Sequence, residues 1–182
     1  MPGPAPPRFD GTAPLVQVTR AAFDAGGAPS VGLLLASSAA FVLLHKLSAD
    51  FTLDGYEVIR TRDVTDLAHQ FPRGDFYRRV LERKGLAARS PGAVDLGAPD
   101  RLLASAQALF PLLVVHEEGL RPDEVMVGRV VGATPTGYRF RLMDPEARWL
   151  EPIEFHRYSA LTRVEFGSAY EMTLAMMDPE GG

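Results

Sequence analysis

The side chains of this 182-residue chain best suited to proton transfer or metal binding near neutral pH are its four histidines, His45, His69, His116 and His156. None has a second histidine at ligand spacing, and His116-Glu117-Glu118-Gly119 reads as a solvated acidic turn rather than a metal site. The carboxylate pairs Asp63 with Asp66 and Glu151 with Glu154 could do acid and base work if their environments pushed their pKa values apart. Beside Arg60, Arg62 and Arg157 they read instead as solvated cross-strand ion pairs. The chain contains no cysteine, so thiolate metal sites, disulfides and a cysteine nucleophile are excluded, and an intracellular, cytoplasmic setting is the expectation. Phosphate-loop, dinucleotide, zincin, EF-hand and nucleophile-elbow motifs are absent. No catalytic residue, metal or cofactor is expected, and the chain does not read as an enzyme.

Cationic side chains carry the stronger signal. Arg73, Arg78, Arg79, Arg83, Lys84 and Arg89 stand against only Asp75 and Glu82, and Arg79 and Arg83 share one helix face, where they could grip phosphates or an acidic surface. The alternative is a helix packed on Phe76, Val80 and Leu81 with its basic side toward the acidic C-terminal half. A second group is Arg129, Arg139 and Arg141 with Arg148 and Trp149, since guanidinium groups beside an indole suit stacking and anion contacts. Glu146, Glu151 and Glu154 nearby would neutralise that face, and Trp149 reads as a shield over the barrel mouth before it reads as a base-stacking platform. The candidate anion or nucleic-acid contacts are therefore Arg78, Arg79, Arg83, Lys84, Arg129, Arg139, Arg141 and Trp149. A net charge of -4 argues against a uniformly nucleic-acid-coated protein, but residues 73 to 101 alone are basic, with seven cationic against four acidic side chains. Arginine supplies nearly all the positive charge, a bias that points to a GC-rich bacterial genome.

The elements that must position these groups repeat. Pro14 to Val18 falls on Pro111 to Val115 at an offset of 97, and Val31-Gly32 falls on Val127-Gly128. A turn one residue longer in the second copy would put Phe41 on Tyr138 and Leu43 on Phe140. Leu53 to Arg60 then lies on Leu150 to Arg157, and Val64 to Leu67 on Leu161 to Val164. His156 thereby takes the slot of Ile59, which favours a packing role. Each copy reads as five short strands: in the first, Leu15 to Thr19, Val31 to Ala36, Phe41 to Leu47, Tyr56 to Arg62 and a stub at Val64 to Leu67. Leu33 to Leu35 and Phe41 to Leu44 are apolar on both faces, so something beyond the copy itself should cover one face. Leu34, Val42 and Leu44 are the candidate interface residues. Between the copies, GDFYRRVLERKG reads as a helix capped by Asp75 and stopped by Gly85. Residues 87 to 97 read as loop, and a second helix starting at Pro99 or Asp100 carries the stripe Leu102, Leu103, Ala106, Leu109 and Phe110.

The expected division is a Pro-rich tail at 1–11, a first small barrel at 12–71, a basic helical connector at 72–98, a helix plus second barrel at 99–177, and a tail at 178–182. Five short, bent strands of this kind resemble the Sm-like and SH3-like small β-barrels, and two in one chain resemble bacterial proteins with tandem barrels. LDGYEVIRTRDVTDL and EPIEFHRYSALTRVEFG are the phrases that carry the likeness. The resemblance implies a mainly β fold, ring assembly through barrel edges and RNA binding, although around Asp54-Gly55 there is neither the Arg nor the Asn with which RNA-binding Sm proteins hold a base. The expectation is a non-enzymatic binding or assembly module whose partner is a protein or a second copy. Nucleic-acid binding is the alternative, and no membrane span is expected: the longest apolar stretch, Val31 to Leu44, is broken by two serines and too short.

Overall fold

The strand runs foreseen from apolar patterning assemble into one continuous ten-stranded antiparallel sheet. The structure, a computed structural model, describes residues 13–24 and 28–180, so the Pro-rich 1–11 segment lies outside the described residues. The strands are β1 (Leu15–Thr19), β2 (Ser30–Ser37), β3 (Phe41–Leu47), β4 (Leu53–Arg60), β5 (Asp66–Ala68), β6 (Leu113–His116), β7 (Met126–Ala133), β8 (Gly137–Leu142), β9 (Glu154–Arg157) and β10 (Arg163–Phe166). Three helices accompany them: α1 (Gly74–Lys84), α2 (Pro99–Leu109) and α3 (Ala169–Met176). Among the described residues no helix is long and apolar enough to cross a membrane.

Spatial order across the sheet is β5-β1-β2-β3-β4-β10-β6-β7-β8-β9. Each half thus runs fifth, first, second, third, fourth, and the fourth strand of the first half pairs with the fifth strand of the second. Two separate closed barrels were expected; the halves are instead fused, because β4 spends its free edge on β10 rather than on β5 of its own half.

Corresponding hydrogen bonds hold the two halves in register. Val16 faces Gly32 as Leu113 faces Gly128. A bulge interrupts the ladder at Leu35 in one half and at Val131 in the other. The hydroxyl of Thr65 donates to the Thr19 carbonyl and accepts from the Ala21 amide, and Thr162 does the same with His116 and Glu118. One part of the expected alignment is corrected. The β2–β3 and β7–β8 turns have the same length, Ser38 and Thr134 each closing on the residue three further on, so Val42, not Phe41, corresponds to Tyr138, and Leu44 to Phe140. The extra residue of the second half lies after β8.

Val42 and Leu44 sit fully inside the first half with Val16, Val18 and Ile59, and Leu34 packs on the same cluster. They were expected to face a partner; the chain buries them itself. The opposite face is covered from within as well. Phe41, Leu43 and Val58 pack on α2 through Leu102, Leu103 and Ala106 and continue into Val115, Val164 and Phe166 of the second half. Burying a Leu or Phe side chain is worth about 1.5–3 kcal/mol, so this shared cluster binds the halves as well as each half's interior. Leu109, foreseen in the α2 stripe, is exposed at the helix end.

Helix α1 lies against the first half through Leu81, which joins Leu15 and Leu33. Helix α3, which had no counterpart in the sequence reading, covers the corresponding face of the second half through Leu174 on Leu112 and Val127. Its start carries a capping box between Ser168 and Glu171, a signal present in Ser-Ala-Tyr-Glu. Asp75 does not cap α1; Arg73, in the left-handed region, holds that place, and Asp75 pairs with Arg78.

Candidate functional site

Three groups of polar side chains could do chemistry or binding. The first crosses the β4–β10 junction. Glu57 and Glu165 lie directly opposite each other, an arrangement that repels unless cations intervene. Arg163 is 3.0 Å from Glu57 and 3.6 Å from Glu165, Lys46 pairs with Glu165, and His116 Nε2 donates to Glu165 over 3.0 Å. Arg163 also meets Glu118 at 3.1 Å, and Glu118 receives a two-pronged contact from Arg20, itself paired with Asp24. Burial alone would raise the Glu165 pKa; the His116 hydrogen bond, Lys46 and Arg163 outweigh it and hold the carboxyl well below its ordinary value. In Glu118, too, burial is overcome by hydrogen bonds from Arg20 and Thr162 and by Arg163. The pairs Arg163–Glu57, Lys46–Glu165 and Arg20–Glu118 each join one half to the other, so the network clamps the halves together. Of His116-Glu117-Glu118, expected as a solvated turn, His116 and Glu117 are buried and Glu118 is partly buried. Glu57, Glu165 and Arg163 were missed in the sequence, although a charged residue at an inward place of an alternating strand was the available sign.

The second group is inside the second half. His156 Nδ1 donates to Glu117 over 3.1 Å and its ring stacks on Tyr138 with centroids 5.4 Å apart. Burial, with Glu117 adding to it, pushes the Tyr138 phenol far up, and its hydroxyl finds no partner among the described residues. A buried acid–base pair of this sort can position a proton. His156 does occupy the Ile59 slot, as the repeat predicted.

The third group is the Arg–Trp face. Arg129 and Arg141 are direct cross-strand neighbours, with guanidinium carbons 4.3 and 5.2 Å from the Trp149 ring centre. Glu180 lies 3.0 Å from Arg129 and 2.8 Å from Arg141, and Trp149 Nε1 donates to Asp178 over 2.7 Å. Residues 178–180, expected as a free tail, are thus bound. Arg139 is exposed and takes no part. No protein-family model, curated protein or solved structure matches this chain.

On α1 the predicted contacts separate. Arg78 is held by Asp75 and the His69 carbonyl, and Lys84 by the Asp50 and Phe51 carbonyls. Arg79 and Arg83 are exposed and form no ion pair with the described residues. The basic side of α1 faces solvent rather than the second half, because the helix packs on the first.

At the two ends of the sheet lie the edges of β5 and β9, unpaired among the described residues. Phe155 on β9 is 52% exposed and Ile153 just before it 41%, whereas Val58, which corresponds to Phe155, is 0% exposed beneath the β4–β10 junction.

Proposed function

We propose that this chain is a non-enzymatic assembly module, built of two Sm/SH3-like small-barrel repeats, that joins copies of itself edge to edge. The observation that carries the reading is the β4–β10 pairing, in which a fourth strand of one repeat meets a fifth strand of the other while one edge of each kind, β9 and β5, has no partner among the described residues. Shifting the internal register by 97 residues sets Phe155 opposite Leu67 and Glu154 opposite Ala68 of a second copy. An open edge is a template for strand addition, and the exposed Phe155 and Ile153 add an apolar reward. Such a contact is head to tail, so it closes into a ring or runs on as a filament according to the rotation per copy. A cytoplasmic setting belongs to the same proposal and rests on the cysteine-free sequence. Sedimentation velocity tests it: association should rise with concentration and disappear in Phe155→Lys, and a wild-type monomer at high concentration would refute the reading.

A second reading, nucleic-acid binding, is favoured by Arg79 and Arg83, the exposed cations of α1 that form no ion pair with the described residues. It requires binding to mixed RNA or DNA that weakens steeply with salt and drops in Arg79→Ala/Arg83→Ala. Absence of retention at low ionic strength discards it.

A further inference from the structure

Arg129 and Arg141 face each other across β7 and β8, and both crowd one indole. Opposed like charges destabilise a strand pair, so the arrangement needs an anion to balance it. The first half solves the same structural problem without charge. Leu33 corresponds to Arg129 and packs with Leu15 and Leu81 beneath α1. A leucine would therefore suffice for covering this face, and two arginines with a tryptophan go beyond that need. Glu151 lies 3.2 Å from Arg141 but does not reach Arg129, and what balances the two together is the segment that follows α3. Glu180 bridges both guanidinium groups at 3.0 and 2.8 Å, and Asp178 takes the indole N–H at 2.7 Å while accepting the Glu180 amide at 2.9 Å. Glu180 is about half exposed and stands on the short stretch that follows α3.

We propose that Arg129, Arg141 and Trp149 form a docking site for an acidic peptide presenting two carboxylates two residues apart, held closed here by the chain's own Asp178-Pro179-Glu180. The ligand class follows from the occupant. Planar guanidinium groups match carboxylates, and the indole N–H asks for an acceptor two residues before the bridging acid. A nucleobase is less well suited, because Arg129 already lies over the Trp149 ring. The tail acts as a tethered competitor, and short tethers give effective concentrations in roughly the millimolar range, so a free peptide meets a largely closed site.

Trp149 is the sole tryptophan, and its fluorescence reports directly on the site. The probe is a blocked peptide of sequence Met-Asp-Pro-Glu-Gly-Gly titrated into the full-length protein, with the Asn/Gln version of the peptide as control. Asp178→Asn/Glu180→Gln should open the site and bind the acidic peptide at least about ten-fold more tightly than wild type. Adding Arg141→Gln, or Arg129→Leu with the residue natural to the first half, should abolish the signal while circular dichroism shows the sheet intact. If the folded, opened variant ignores the peptide, or if wild type and variant bind it equally, the proposal fails. Binding of a single-stranded oligonucleotide in place of the peptide would overturn the ligand class.

Discussion

The two halves of the sheet share a strand order, a bulge and a threonine latch, yet their interiors differ in kind. Val42, Leu44 and Ile59 fill the first half, while Tyr138, Phe140 and His156 stand at the same places in the second. Arg20 and Glu117 also correspond, both are buried, and they carry opposite charge. Backbone register and interior chemistry are thus separable in this fold. Ladder and turn hydrogen bonds need only the right backbone path, so they tolerate an aliphatic or an aromatic and ionic filling. The polar filling is the more sensitive to single changes, because a buried polar group depends on its partner.

Core truncations probe whether the halves are one cooperative unit. Phe140→Ala should cost about 3–5 kcal/mol and Leu44→Ala about 2–5 kcal/mol. Both should move a single unfolding transition in urea, since the cluster around α2 spans the halves; two separated transitions would break the picture of a fused sheet. Next comes the buried pair. Glu117→Ala should destabilise by about 3–5 kcal/mol by stranding His156, whereas Glu117→Leu/His156→Ile, which imports the aliphatic solution of the first half, should be neutral or stabilising by about 1–4 kcal/mol. A double variant as unstable as the single one would show that the interiors are not exchangeable.

The junction makes a pH-dependent prediction. Glu165 and Glu118 have folded pKa values below their unfolded ones, so the stability they contribute is present above the unfolded glutamate value, about 4.3, and is lost as pH falls through the folded values. Urea midpoints between pH 6 and 3 should therefore decline, and more gently in Glu165→Gln; an unchanged slope would remove Glu165 from the clamp. The threonine latches give the smallest effects. Thr162 is buried and Thr65 exposed, so Thr162→Val should cost about 1–3 kcal/mol and Thr65→Val less than about 1 kcal/mol, measured as denaturant midpoints. Equal costs would mean that burial does not distinguish the halves.

Much of this fold was legible in the chain. Strands β1 and β3 were bounded correctly, the offset of 97 identified the matching threonines, and Gly85 stopped α1 as expected, all from patterns spanning a few residues. The hairpin alignment slipped by one because Phe41 to Leu44 at the start of β3 are all apolar, leaving no alternation there to choose between registers. Of the candidate contacts, Arg129, Arg141 and Trp149 do converge, and Arg79 and Arg83 stay free, while Arg78 and Lys84 are spent on local partners.

By itself, then, the sequence determined the mainly β character, the repeat and the lack of any cysteine chemistry, because composition and short-range periodicity encode these directly. Only the tertiary structure decided that β4 joins β10, that Glu57 and Glu165 share a buried clamp, and that Asp178 and Glu180 fold back over two arginines. Each of those contacts links residues 29 or more positions apart. Such pairings depend on which edges and charges are left unsatisfied after the local elements form, and that balance exists only once the whole sheet has assembled.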